Sequence, residues 1–179
     1  MISRIVVTGS ECTGKTTLSR QLAQELGALW LPEYARAYAE SVGRPLTASD
    51  VEPIAHGQIA MEDAAARSRP TITVLDTDLV STVVYARHYY GSCPPSIVEL
   101  ARARLAPLYL LCDFQDIPWV ADAVRDQPQS RLQVHEQFRE TLREFGAQIA
   151  LITGVGFDRL RRGLHAIEAV EPRTASNQR

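Results

Sequence analysis

Gly9-Ser10-Glu11-Cys12-Thr13-Gly14-Lys15-Thr16-Thr17 places glycines, a lysine and hydroxyls at the spacing G-x-x-x-x-G-K-[ST]. That spacing is the chemistry of a phosphate cradle. Glycines let the backbone curl with its N–H groups pointing inward, and a helix starting at the lysine adds the partial positive charge of its N-terminus. The Lys15 ammonium is positioned to reach the outer phosphates of a nucleotide, and the Thr16 hydroxyl to ligand Mg²⁺. Lys15 is the only lysine in the chain, and the other eighteen Lys/Arg positions are all arginine. Whatever bias removed lysine elsewhere kept it here, where a compact point charge is not replaced by a guanidinium fork. The stretch implies a bound nucleoside triphosphate.

Carboxylates and arginines follow the apolar runs at four places: Glu33 with Arg36, Asp76 with Asp78, Asp113, and Asp122 with Arg125 and Arg131. Transfer of a phosphoryl group to a hydroxyl asks for such a set. One carboxylate holds Mg²⁺, one accepts the hydroxyl proton, and arginines stabilise the migrating charge. Asp76, ending an apolar run, reads as the metal-side carboxylate together with Thr16; its other reading is a helix cap. Asp78 divides evenly between capping and substrate binding. Glu33 and Arg36 are three apart and share a helix face. They read as catalytic or substrate-orienting, against a first-turn acid favoured only by the helix dipole. Arg125 and Arg131 are either solvated or part of a lid that excludes water from the reaction. Tyr34, Tyr38, Tyr85 and Trp119 can stack on a flat base, although aromatics at helical spacing commonly belong to a core. The four histidines are scattered and take no role.

These groups meet only if the elements between them alternate. Residues 3–8 are a β-branched run that reads as a buried parallel strand. Leu18, Leu22 and Leu26 then fall at helical spacing, with Gly27 at the stop. Further strands read at 28–31, 71–75, 108–112 and 148–152, with Asp76-Thr77-Asp78 closing the third. Between them a short helix follows Pro32, and a long helix starts at a capping box over Thr47 to Asp50 and runs to about Arg67. Others run from Leu79 to Gly91, from Pro95 to about Arg104, and from about Leu132 to Phe145. A last helix carries Leu160, Leu164 and Ile167. Five strands alternating with helices make a doubly wound α/β fold whose parallel sheet presents its ligand at the carboxyl ends of the strands. Residues 1–170 form one domain with a small lid at about 113–131, and 171–179 read as a frayed tail.

Taken together these residues resemble the ribosylnicotinamide kinase domain at the C-terminal end of bacterial NAD-biosynthesis regulators. The resemblance runs from about Ile5 to Val170. It rests on the phosphate loop, on Trp30 with Pro32-Glu33-Tyr34-Ala35-Arg36-Ala37-Tyr38, and on His56-Gly57-Gln58, Asp76-Thr77-Asp78 and Pro118-Trp119-Val120-Ala121-Asp122-Ala123-Val124-Arg125. It implies ATP-dependent phosphorylation of the ribose 5′-hydroxyl of nicotinamide riboside, with ATP and Mg²⁺ as cofactors. Glu33 is then the general base, with Asp78 as its substitute. Glu33, Tyr34, Arg36, Asp76, Asp78, Trp119 and Asp122 belong to the substrate side, and Arg125 and Arg131 to the lid. The regulators carry a DNA-binding module and an adenylyltransferase domain ahead of this kinase. This chain starts at the first strand of the kinase, so a repressor role and a second enzymatic step are not expected of it.

Composition bounds the rest. A formal charge of −2 offers no long-range pull towards nucleic acid, and no basic-aromatic stripe is present. There is no signal-like segment and no apolar run of membrane-spanning length, and three cysteines without metal-like spacing read as free thiols. A cytoplasmic protein acting on a small molecule is expected, with its oligomeric state open. Two alternatives remain: a kinase of another nucleoside or small metabolite, and an ATP-binding switch without turnover. A guanine-nucleotide switch is disfavoured, because the only Asn is Asn177 and no Asn-Lys-x-Asp loop exists.

Overall fold

The five apolar runs pair as one all-parallel sheet. A computed structural model describes residues 2–117 and 130–170 of the chain. The strands are β1 (Arg4–Thr8), β2 (Leu29–Leu31), β3 (Thr73–Asp76), β4 (Leu108–Cys112) and β5 (Ile149–Ile152), in the spatial order β2-β3-β1-β4-β5. The helices are α1 (Lys15–Leu26), α2 (Tyr34–Val42), α3 (Val51–Arg67), α4 (Leu79–Tyr90), α5 (Pro95–Ala103), α6 (Arg131–Glu144) and α7 (Gly156–Val170). A single 3₁₀ turn, Ala48–Asp50, leads into α3 through the capping box of Thr47 and Asp50. The doubly wound five-stranded sheet expected from the alternation is the architecture found.

The central strands β1, β3 and β4 are buried almost without interruption because both faces of the sheet are covered. Val6, Leu75, Tyr109 and Leu111 pack under Ala55 of α3, Val80, Val83 and Val84 of α4, Ile97 of α5 and Phe138 of α6. Ile5, Val7, Leu108 and Leu110 pack on the other side under Leu18 and Leu22 of α1 and Leu160 and Ile167 of α7. No described helix is long and apolar enough to cross a membrane.

Strand β1 lies between β3 and β4, with Val6 in register with both Leu75 and Tyr109. The connection after β1 leads to β2 and β3 on one side and the connection after β3 crosses to β4 on the other, so a crevice opens at the carboxyl end of β1, where the phosphate loop starts. The third strand runs one residue further than its apolar pattern suggested. Asp76 pairs in register with Val7, and the Thr77 amide still donates to the Val7 carbonyl at 3.0 Å. Asp76 therefore stands on the sheet itself and not on the turn after it.

The loop leaves β1 so close to β4 that there is no room for a side chain. A Cβ on Gly9 would sit 2.9 Å from the Cys112 carbonyl oxygen, and Gly9 has a φ of +135°. Gly9→Ala is expected to cost roughly 1–3 kcal/mol and to weaken ATP binding. Chemical denaturation together with a nucleotide-binding titration checks both; an unchanged midpoint and affinity would contradict the packing.

Candidate active site

The cradle is assembled from backbone. Gly14, left-handed at φ 73°, is the N-cap of α1, and the Leu18 amide donates to its carbonyl. The Thr13 hydroxyl donates to the Ser10 carbonyl at 2.8 Å, which holds the loop closed, and Lys15 Nζ donates to the same oxygen at 2.8 Å. Cys12 is left-handed at φ 55°. Its carbonyl accepts 2.7 Å from Arg131, whose other terminal nitrogen donates to the Ile117 carbonyl at 2.9 Å. Arg131 thus ties the start of α6, the residue before the undescribed segment and the phosphate loop into one unit. Its guanidinium also lies over the Phe114 ring, 5.4 Å from the centroid.

Beside the cradle stands Asp76. Its Oδ2 accepts a 2.6 Å hydrogen bond from the Thr16 hydroxyl, while Oδ1 is buried with no hydrogen-bond partner among the described residues. Burial pushes its carboxyl above the ordinary range, against the pull of the Thr16 hydrogen bond and of Lys15, Arg36 and Arg20. A carboxylate oxygen left over next to a hydroxyl oxygen is a donor set for a hard cation. Among the described residues no three His, Cys, Asp or Glu side chains form a metal cage. An ion held here would take its remaining ligands from phosphates and water, as Mg²⁺ does.

Glu33 is the N-cap residue of α2, yet its side chain makes no cap hydrogen bond. Its carboxylate lies 3.8 Å from Arg36 Nε and is 22 % exposed. Burial raises its proton affinity. Lys15 opposes this most strongly, followed by the reinforcing effect of Asp76, the opposing effect of Arg36 and the reinforcing effect of Glu11. Four groups from three sheet crossings therefore act on one carboxylate. The structure brings Lys15, Thr16, Glu33, Arg36 and Asp76 together.

Asp78 is occupied elsewhere. One oxygen accepts from the Val80 amide at 3.0 Å and caps α4, and the other accepts from the Tyr109 hydroxyl at 2.6 Å. The residue is 6 % exposed. Of its two expected roles, the structure displays the cap. Tyr34 packs against α3, and its ring sits on Gly57. Trp119, Asp122 and Arg125, with most of the expected lid and the tail, lie outside the described residues.

Two contributions go beyond the sequence reading, which offered Tyr85 only as a candidate to stack on a base. Tyr89 donates to Glu11 at 3.3 Å and stacks on Tyr85, with centroids 5.9 Å apart and planes at 11°. Burial, then Glu11 and Glu33, raise the Tyr85 hydroxyl well above its usual range, and the Tyr89–Glu11 hydrogen bond ties α4 to the phosphate loop. The i,i+4 spacing of the two tyrosines was the available signal. Arg159 of α7 is 4 % exposed and donates to the Ile152 carbonyl at 3.1 Å and to the Asp113 carbonyl, joining the ends of β4 and β5. Nothing local marks that arginine out from its neighbours.

Burial, offset in part by the Tyr109 hydrogen bond and reinforced by Glu62, pushes Asp78 up to about 6 from an ordinary 3.8. A carboxyl raised by folding gives a stability contribution that is fully present below the unfolded value and is lost as pH rises through the folded one. Relative to Asp78→Asn, the wild-type chain is expected to lose stability between about pH 4 and about pH 7. Urea denaturation of both proteins across that range checks it. A pH-independent difference between them would contradict it.

A family model described as AAA domain matches residues 4–159. Among curated proteins, the chain is 28% identical over 175 residues to the trifunctional NAD biosynthesis/regulator protein NadR of Escherichia coli (strain K12), covering 94% of this chain and 42% of that protein. It is 28% identical over 176 residues to NadR of Salmonella typhimurium (strain LT2), covering 95% of this chain and again 42% of the relative. The chain thus spans less than half the length of the curated relatives it matches. Among solved structures, NadR in complex with NR superposes with a TM-score of 0.71 at 30% identity, over 94% of this chain and 50% of that one. NadR in complex with NAD and AMP-PNP gives 0.71 at 27%, over 94% and 49%. Thymidylate kinase from Ehrlichia chaffeensis gives 0.69 at 15% identity, over 94% and 98%, a likeness of fold alone. The chain, with its phosphate loop on a five-stranded parallel sheet, belongs to the AAA domain family and is similar over nearly its whole length to part of NadR.

Proposed function

We propose that the chain is a P-loop phosphotransferase that moves the terminal phosphoryl group of MgATP to the ribose 5′-hydroxyl of nicotinamide riboside, giving nicotinamide mononucleotide. The observation that carries this reading is the Glu33 carboxylate, which ends the β2 crossover and lies in the field of Lys15 and Asp76. A half-buried carboxylate under the influence of the phosphate lysine, with no cap hydrogen bond of its own, suits a group that takes a proton from an acceptor hydroxyl. Similarity to NadR structures solved with NR and with NAD and AMP-PNP supports both the acceptor and the donor.

The division of work follows from the side chains. The inward amides of residues 9–17 and Lys15 bind the phosphates. Thr16 and Asp76 are the residues that would hold Mg²⁺, which when bound neutralises charge on the phosphates. Glu33 accepts the hydroxyl proton, and its burial strengthens it for that task. Lys15 restrains that increase and keeps the carboxylate from being protonated too readily. Arg36 orients Glu33, and Arg131 holds the loop to Ile117 and the start of α6. Tyr34, Trp119 and Asp122 are assigned to the riboside and Arg125 to the migrating charge, by resemblance. Asp78 serves the transfer indirectly, by fixing the turn that follows Asp76. We place the reaction in the cytoplasm, where MgATP is abundant and the three cysteines, none in a disulfide, stay reduced.

Purified protein with MgATP and a panel of nicotinamide riboside, cytidine, uridine and deoxynucleosides is expected to release ADP with nicotinamide riboside and to form its 5′-monophosphate. ADP release with a different riboside alone would keep the transfer and replace the acceptor. ATP binding without release in any case would overturn the reading in favour of a switch.

A further inference from the structure

Helix α2 carries Glu33 at its start, yet none of its nine residues is buried. Its half-buried residues, Tyr34, Ala35, Tyr38, Ala39 and Val42, form a thin stripe with two alanines in it, so its placement against α3 leans on the two tyrosines. Its second turn is anchored by Tyr38, whose hydroxyl donates to Asp50 Oδ1 at 2.9 Å. Asp50 is itself fixed by both terminal nitrogens of Arg44, each at 2.8 Å, and by the Thr47 amide at 2.8 Å. The first turn, the one next to Glu33, has a different anchor. There the Tyr34 ring lies across Gly57 so closely that a methyl group on Gly57 would overlap its Cζ, its Cε1 and its hydroxyl oxygen.

Gly57 sits in the middle of α3, the seventeen-residue helix of the fold. Glycine is a poor helix former, because it gives up the most backbone freedom on folding. At Gly9, Gly14 and Gly27 a positive φ accounts for glycine, but Gly57 has no such conformation. What it supplies is space. The occupant of that space is the residue bonded directly to the proposed general base.

We infer that Gly57 is a positioning residue for phosphoryl transfer: its bare backbone seats Tyr34 and thereby sets where the Glu33 carboxylate stands over the phosphate cradle. The inference rests on the transfer reading above, and deepens it by assigning His56-Gly57-Gln58, which resembles its family counterpart but had no role, to the geometry of the base. The dependence is steep, because a displacement of about 1 Å of a reacting group can cost on the order of a hundredfold in rate. The atoms a methyl at position 57 would strike are the far end of the Tyr34 ring, so it displaces that ring and the first turn of α2 that carries it more readily than it breaks α3.

The test is a double-mutant cycle of Gly57→Ala and Tyr34→Ala, read in turnover with nicotinamide riboside, in the pH profile of kcat, in binding of a non-hydrolysable ATP analogue, and in melting temperature. Gly57→Ala is expected to lower kcat by about tenfold to a hundredfold, to displace the acid limb of the pH profile, and to leave analogue binding unchanged. In the Tyr34→Ala background the same substitution is expected to change nothing, because the ring it would strike is gone. Multiplicative losses, or a Gly57→Ala enzyme with wild-type kcat and pH profile, would overturn the inference. If Gly57→Ala fails to fold, the double variant decides: folding with the activity of Tyr34→Ala supports the seat, and failure to fold overturns it. If the wild-type chain turns over no riboside, the transfer reading fails and with it the role for Glu33. The seat itself is then judged separately by the melting temperatures, where non-additive shifts support it and additive shifts exclude it.

Discussion

The closeness of Gly9 to the Cys112 carbonyl is the constraint on which the site depends. A loop that must leave β1 in contact with β4 has no freedom to drift, and the rest of the cradle inherits its position. The Thr13 hydroxyl and Lys15 Nζ both close on the Ser10 carbonyl, and Arg131 reaches across to the Cys12 carbonyl. Because β1 also pairs with β3, the same register that places Gly9 places Asp76 level with Val7, within hydrogen-bond distance of Thr16. Sheet pairing is thereby converted into the relative position of a hydroxyl, a carboxylate and an ammonium.

Three carboxylates near this edge are raised by burial, and their partners separate their roles. Asp78 has both oxygens engaged, by the Val80 amide and the Tyr109 hydroxyl, so it is committed to holding the β3–α4 turn. Asp76 has one oxygen engaged and one with no hydrogen-bond partner among the described residues, which suits a cation. Glu33 has only the 3.8 Å ion pair with Arg36 among its side-chain contacts within the described residues, and keeps some exposure, which suits a group that must exchange a proton. Desolvation of the same sign thus acts on all three, and hydrogen bonding decides what each can do.

The fold was legible because its signals are local. Apolar runs of four or five residues, a glycine after α1 and the capping box at Thr47 each state their element without reference to distant residues. The phosphate loop was legible for the same reason. Asp78 was not, since a cap and a ligand call for the same residue at a strand–helix junction; the deciding group, Tyr109, comes from another strand. The seat of Tyr34 was equally hidden, because Gly57 lies on a different helix and carries no side chain to signal a contact. Arg159 joins two strand ends through its long side chain, a link with no pattern along the chain.

Glu33→Gln tests the central claim most directly, with ATP binding and riboside-dependent turnover measured on the same preparation. The glutamine keeps the size of the side chain and removes the proton acceptor. ATP affinity is expected to stay within a few-fold of wild type while kcat falls by about 10²–10⁴-fold, the range for loss of a positioned general base. Wild-type turnover in Glu33→Gln would contradict the account and leave the half-buried carboxylate near Lys15 without a catalytic role.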